Sequence, residues 1–229
     1  MALVQYGPIV SDARRKIGGV VATKGHAGNF MRKKVSPIQP RTQIQRNVRA
    51  SFTANSKAWS AGLSGNVAGW NAVAKATPIK DRFGNSVTLT GLQLYQRLSR
   101  NLATLGLTAV ATPPASLVAS TPGVLTYTAT AGAPALTVTE TLNTAATEYS
   151  AVYAGPQISA GRTFVGKTYR FIQATVGAGA PLTTDIKVKY VAKFGALIAG
   201  KQIPILVKHI TTATGAAGTP SAILALVGA

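Results

Sequence analysis

Apolar positions follow two different periods along the chain, and the change falls near residue 107. Between Thr42 and Gly106 they recur every three or four residues. Ile44, Val48, Phe52 and Trp59 form one stripe. Val67, Trp70 and Val73 or Ala74 form a second, and Leu94, Leu98, Leu102 and Leu105 a third, so three amphipathic helices are expected. Thr42 with Gln45 three positions on is a capping-box signature for the first helix. The second is expected near Asn66 to Ala76, and Gly106 is the expected stop of the third. Upstream, residues 17–35 predict two short strands around a turn between Lys24 and Asn29. "SPIQP" (36–40) predicts an extended arm through Pro37 and Pro40, because the residue before a proline avoids helix.

Pro113, Pro114 and Pro122 mark a linker over 111–123, beyond which Thr, Val, Ala, Gly and Tyr gather in short runs. Seven runs read as strands: "VLTYTAT", "ALTVTETL", "EYSAVYA", "KTYRFIQATV", "IKVKYVAKF", "QIPILVKHI" and "SAILALVG". In "IKVKYVAKF" the apolar Ile186, Val188, Tyr190 and Phe194 alternate with Lys187, Lys189 and Lys193, the pattern of a half-buried antiparallel strand. Pro204 lacks a ladder donor, which assigns "QIPILVKHI" to a sheet edge or a bulge. The expected fold is α+β. A hairpin-plus-three-helix module (1–110) precedes the linker, and an all-β sandwich of immunoglobulin or fibronectin type III kind (124–229) follows it.

Charge changes the picture most. The 229 residues carry 24 Lys+Arg against 5 Asp+Glu, a formal net charge of +19, yet 46% are hydrophobic, which excludes a disordered basic tail. Sixteen of the basic residues lie before residue 111. Ten of them, Arg14, Arg15, Lys16, Lys24, Arg32, Lys33, Lys34, Arg41, Arg46 and Arg49, crowd a stretch whose one acid is Asp12. These are the candidate nucleic-acid contacts. Phe30 is the one aromatic among them, so phosphate contact without base readout is expected. Pro37 and Pro40 are the candidate assembly arm.

Catalytic chemistry is sparse. The chain has no cysteine, hence no thiolate, disulfide or zinc knuckle. His26 sits in a turn and His209 at a strand end, neither with a carboxylate close in sequence, which favours surface or capping roles. Asp12, Asp81, Glu140, Glu148 and Asp185 form no spaced acid/base or metal pair. No G-x-x-x-x-G-K-[ST] loop is present. No catalytic, metal or cofactor residue, no small-molecule substrate and no enzyme activity are expected. No apolar run approaches the roughly 18 residues of a membrane span, so no membrane partner is expected. The N-terminus lacks the pattern of a signal peptide.

Gly18-Gly19, then Pro37, Pro40, Thr42 and Gln45, then Trp59 and Trp70, then Gly91, Tyr95 and Asn101 occur in an order that resembles a broad, uncharacterised family of phage and environmental bacterial proteins. The resemblance covers about residues 5 to 106. It implies a virion or other assembly component followed by a β-sandwich-like domain. The expected function is a self-assembling structural protein, a phage or virus coat or a filament component, with its basic N-terminal module facing nucleic acid or an acidic neighbour. Its partners would be itself, other virion proteins and non-specific DNA or RNA, in the virion or in host cytoplasm before assembly. A secreted filament is the less favoured location. A free nucleoid-type nucleic-acid-binding protein is the alternative.

Overall fold

A computed structural model describes residues 2–3, 13, 15–25, 28–35, 41–80, 85–166, 168–179 and 181–228. Helices and antiparallel strands are both present, as in an α+β protein. The chain divides after Arg49 into two units.

In the first unit β1 (Ala2–Leu3), β2 (Arg15–Ile17), β3 (Val20–Gly25) and β4 (Gly28–Lys33) form a sheet in the order β1-β4-β3-β2. The expected hairpin is β3–β4. Its pairing runs from Val20 opposite Lys33 to Gly25 opposite Gly28. Gly18, with φ 57, makes the turn into β3, a left-handed backbone that glycine adopts without cost. Then α1 (Gln43–Ala58) begins at the capping box read from the sequence. Thr42 Oγ1 accepts from the Gln45 N–H, and Gln45 Oε1 accepts from the Thr42 N–H, both at 3.3 Å. No residue of α1 is buried.

The second unit opens with the end of α1 and a wide helical turn over Trp59–Leu63. There α2 (Val67–Ala76) packs against α3 (Gly91–Thr104), with a small β5 (Ile79–Lys80) and β6 (Ser86–Val87) hairpin between them. Trp70 is fully enclosed beside Ala74, Leu94, Tyr95 and Leu98. The half-buried Trp59 closes the cluster, 6.1 Å from the Trp70 ring and 5.7 Å from Tyr95. Thr90 and Gln93 form a second capping box at the start of α3. Gly106, with φ 76, ends it as expected, while the Leu107 N–H returns to Leu102 O at 2.9 Å. Asn101 of α3 donates to Gly215 O at 2.9 Å, tying the helix to the strands that follow.

Those strands are β7 (Leu125–Ala129), β8 (Leu136–Asn143), β9 (Glu148–Ala154), β10 (Ile158–Ser159), β11 (Arg170–Val176), β12 (Pro181–Asp185), β13 (Lys201–Thr211) and β14 (Ser221–Leu226). One sheet runs β10-β13-β9-β11 with β14 also on β13; the other runs β12-β8-β7. Both contribute to one core, which includes Leu125, Leu136, Val138, Val152, Ile172, Ile203, Ile205 and Val207.

Two expectations are corrected here. "IKVKYVAKF" is not a strand but contains the helix α4 (Lys187–Phe194). Ile186 and Tyr190 are buried and Phe194 is half-buried, which is a spacing of four, whereas Val188, which the strand reading turned inward, is 80% exposed. Burial of one helical face won over the alternation. Likewise β13 is not an edge strand, and its pairing shows no bulge. Pro204 pairs with Leu224 of β14. Its carbonyl accepts from the Gly155 N–H at 2.9 Å, so the missing N–H faces the place where β9 has ended and β10 has not begun. A side chain at Gly155 would strike the proline ring, its Cβ falling 2.8 Å from Pro204 Cγ.

Candidate nucleic-acid interface

Pairing in the N-terminal sheet sorts the basic residues by face. Lys16, Val21 and Arg32 are aligned across β2, β3 and β4, and aligned residues share a face. The next row, Arg15, Ala22 and Met31, and the pair Val20 and Lys33 both point the other way. Arg32 and Lys33, adjacent in sequence, therefore serve opposite faces. Arg15, Lys16, Arg32, Lys33 and Lys34 are all exposed. Pairing continues to Lys34, whose N–H donates to Gly19 O at 2.9 Å. Among the described residues of this unit there is no carboxylate.

Arg15 and Arg41 have φ 80 and φ 51. Left-handed backbone at a residue with a Cβ costs roughly 1–3 kcal/mol and is concentrated where function fixes a side chain. Arg41, Arg46 and Arg49 are exposed at the start of α1 and along it. The backbone of Lys24 lies in β3, opposite Asn29. Arg14, Pro37 and Pro40, together with His26, Asp12 and Asp81, lie outside the described residues.

His209 departs from its expected surface role. It is fully buried, and the sheets bring it two carboxylates. Along β13 the inward positions are Ile203, Ile205, Val207 and His209; along β8 they are Leu136, Val138 and Glu140; along β9 they are Glu148, Ser150, Val152 and Ala154. All three rows end in polar residues at the same end of the core, with His209 paired to Ser150. His209 Nε2 lies 2.5 Å from Glu140 Oε2. Glu140 also accepts from the hydroxyls of Thr144, at 2.9 Å, and Ser150. Across the ring, Nδ1 lies 2.5 Å from Ser120 Oγ. Glu148 accepts from the Ser120 N–H at 2.9 Å and from its Oγ at 2.5 Å.

Serine, histidine and a carboxylate in contact are the components of a nucleophilic relay. Here an ionised carboxylate only accepts, so the Ser120 hydroxyl proton is directed to Glu148 and its oxygen is left to accept from Nδ1. The Ser120 N–H is engaged by the same carboxylate. The arrangement is a clamp that ties the linker at Ser120 to β8, β9 and β13. The signal that reveals it is parity: a histidine and two glutamates at inward positions must find partners.

Asp185 is also engaged, its Oδ1 accepting from the N–H groups of Leu136 and Lys187, both at 3.0 Å. Among the described residues no group of three or more His, Asp or Glu is placed to hold a metal ion. None of their helices is long and apolar enough to cross a membrane. Compared with known proteins, the chain matches no family model, no curated protein and no solved structure.

Proposed function

We propose that this protein is a non-enzymatic structural component that assembles with copies of itself around nucleic acid, as the coat or capsid of a phage or virus particle or a filament does. The observation that carries the reading is α1. None of its 16 residues is buried, and Ile44, Val48 and Phe52 are 76%, 43% and 58% exposed on one stripe. A helix of about this length is marginal alone in water and gains stability when its apolar face is covered. A second copy offers the same stripe for a two-fold contact. Copies of net charge +19 repel one another, so a polyanion bound to the basic N-terminal residues favours their assembly. Such contacts position phosphates without reading bases.

The immunoglobulin- or fibronectin-like form of the β-rich part belongs to the same proposal, supported by two antiparallel sheets over one core. A virion location and other virion proteins as partners rest on the resemblance to phage proteins. A free nucleoid-type protein is the second reading, favoured by the exposed cations of the N-terminal sheet, which reach phosphate without any assembly.

The test is light scattering of the full chain with random-sequence duplex DNA. Wild type should form species far heavier than 23.5 kDa. The double variant Val48→Ser, Phe52→Ser should bind DNA but lose them, with its circular dichroism unchanged. Wild type that binds DNA yet stays a monomer at every concentration refutes assembly and leaves the nucleoid-type reading. Replacing Arg32, Lys33 and Lys34 by alanine should flatten the log–log salt dependence of DNA binding by up to about 2 to 3 units, at about 0.9 per phosphate.

A further inference from the structure

Away from the N-terminal sheet, the second unit carries another set of cations, and these are interleaved with rings. Tyr153 of β9 points outward, opposite Phe171 of β11, and their rings meet edge to face 5.6 Å apart. Lys208 of β13 holds its Nζ 5.0 Å from the Tyr153 centroid, and Lys193 of α4 holds its Nζ 6.0 Å from that of Phe171. Arg170 of β11, paired with the inward Ala154, turns to the other face, where it lies 6.0 Å from the centroid of Phe194, a ring packed on the core. From α3, the Arg100 charge reaches Tyr153 and the Arg97 charge reaches Lys208. The Tyr153 and Phe171 rings are half-buried, and Arg97, Arg100 and Lys193 are exposed.

Among the described residues no carboxylate balances this face. The described carboxylates are Glu140 and Glu148, inside the His209 clamp, and Asp185 at the start of α4. Burial, and then the Arg97 charge, lower the Lys208 amine from its ordinary value. Burial moves Tyr153 upward, and Arg100 partly offsets it. A surface that gathers cations without acids is relieved by an anion. Rings at the same place select the kind of anion. Single strands offer phosphates to the cations and unstacked base faces to the rings, whereas a duplex keeps its bases stacked. An acidic peptide satisfies the cations and gains nothing from Tyr153 or Phe171.

We propose that the outer face of β9, β11 and β13, with Arg97 and Arg100 of α3 and Lys193 of α4, is a binding platform for single-stranded nucleic acid. Every residue in it lies in the second unit and none lies on α1, though Arg97 and Arg100 line one cavity with Phe52 of that helix.

The test is fluorescence anisotropy on the full chain with labelled oligo(dT) and oligo(U) of about twelve nucleotides, within the ~4–16 that one such surface takes. A duplex of equal length and poly-glutamate serve as the other arms. Wild type should prefer the single strands; which of the two binds more tightly identifies DNA or RNA as the source. Tyr153→Leu, which keeps bulk and removes the aromatic ring, should weaken oligo(dT) binding about 5- to 100-fold. Lys208→Ala should flatten its salt slope by about 0.7, the loss of one single-strand phosphate contact. Lys193→Ala, at an exposed position, should do the same if Lys208→Ala fails to fold. The Arg32, Lys33, Lys34 triple variant should keep the single-strand preference, whatever it does to duplex binding. Equal affinity of wild type for duplex and single strand overturns the proposal, as does oligo(dT) binding untouched by these changes in folded protein. Poly-glutamate competing as well as oligo(dT), with Tyr153→Leu neutral, overturns it in favour of an acidic protein partner. Loss of all single-strand binding in the triple variant overturns it while leaving the N-terminal interface standing.

Discussion

Replacing His209 with alanine removes the imidazole from between two carboxylates that are almost wholly enclosed. Glu140 is 2% exposed and receives three hydrogen bonds, from His209 and from the hydroxyls of Thr144 and Ser150. After the change two hydroxyls remain to hold its charge. Deleting one partner of a buried hydrogen-bonded pair leaves the other unsatisfied, at a cost of about 1–3 kcal/mol and more for a charged group. Against a total of about 5–15 kcal/mol for a natural domain, that is a substantial fraction of the stability. Removing the carboxylate as well should recover part of the loss. The double variant His209→Ala, Glu140→Ala should fall short of the sum of the single costs by about 0.5–3 kcal/mol, because no uncompensated charge is left inside. The assay is urea unfolding followed by far-ultraviolet circular dichroism, read as a shift in midpoint at constant slope. A single-variant cost below about 1 kcal/mol, the price of an ordinary hydrogen bond, would refute the clamp. So would strict additivity in the double variant.

Three further outcomes are expected. Trp70→Ala should cost about 3–5 kcal/mol and the half-buried Trp59→Ala clearly less, measured by the same unfolding curves; equal costs would misplace the aromatic cluster. Tyr190 donates to Gly155 O at 3.1 Å, and burial raises its hydroxyl well above the ordinary value of 10.0. The folded chain thus keeps a proton that the unfolded chain releases, so the contribution of Tyr190 to stability should be flat below about pH 10 and fall as pH rises beyond it. Tyr190→Phe should lose about 0.5–1.5 kcal/mol at neutral pH and soften that alkaline fall, and an unchanged alkaline slope would refute it. Thr90→Ala, which opens the capping box of α3, should cost about 1 kcal/mol by thermal melting, whereas no change would mean that the cap adds nothing to the fold.

The helical half was legible because its signals are local. Thr42 and Gln45 meet across one turn, and Gly106 needs only its own φ to stop α3. The apolar stripe of α1 was equally legible, but its outcome was not. Ile44, Val48 and Phe52 have the spacing of a buried face, and spacing says nothing of whether a partner covers it. At α4 the reading failed because Ile186, Tyr190 and Phe194 fit a period of two and a period near four alike. The choice is made by where Tyr190 buries its ring, which is a tertiary fact. His209 lies 69 residues from Glu140, and only strand pairing closes that distance. The ring and cation series of Tyr153, Phe171, Lys193 and Lys208 was illegible for the same reason, since four separate elements contribute to it.

The most direct measurement of the central claim is negative-stain electron microscopy of the purified full chain, alone and after mixing with random-sequence nucleic acid. The expected result is ordered particles or filaments of repeating subunits when nucleic acid is present, lost in the Val48→Ser, Phe52→Ser variant. Dispersed single molecules on nucleic acid, with no repeating contact between them and no difference between wild type and variant, would contradict it.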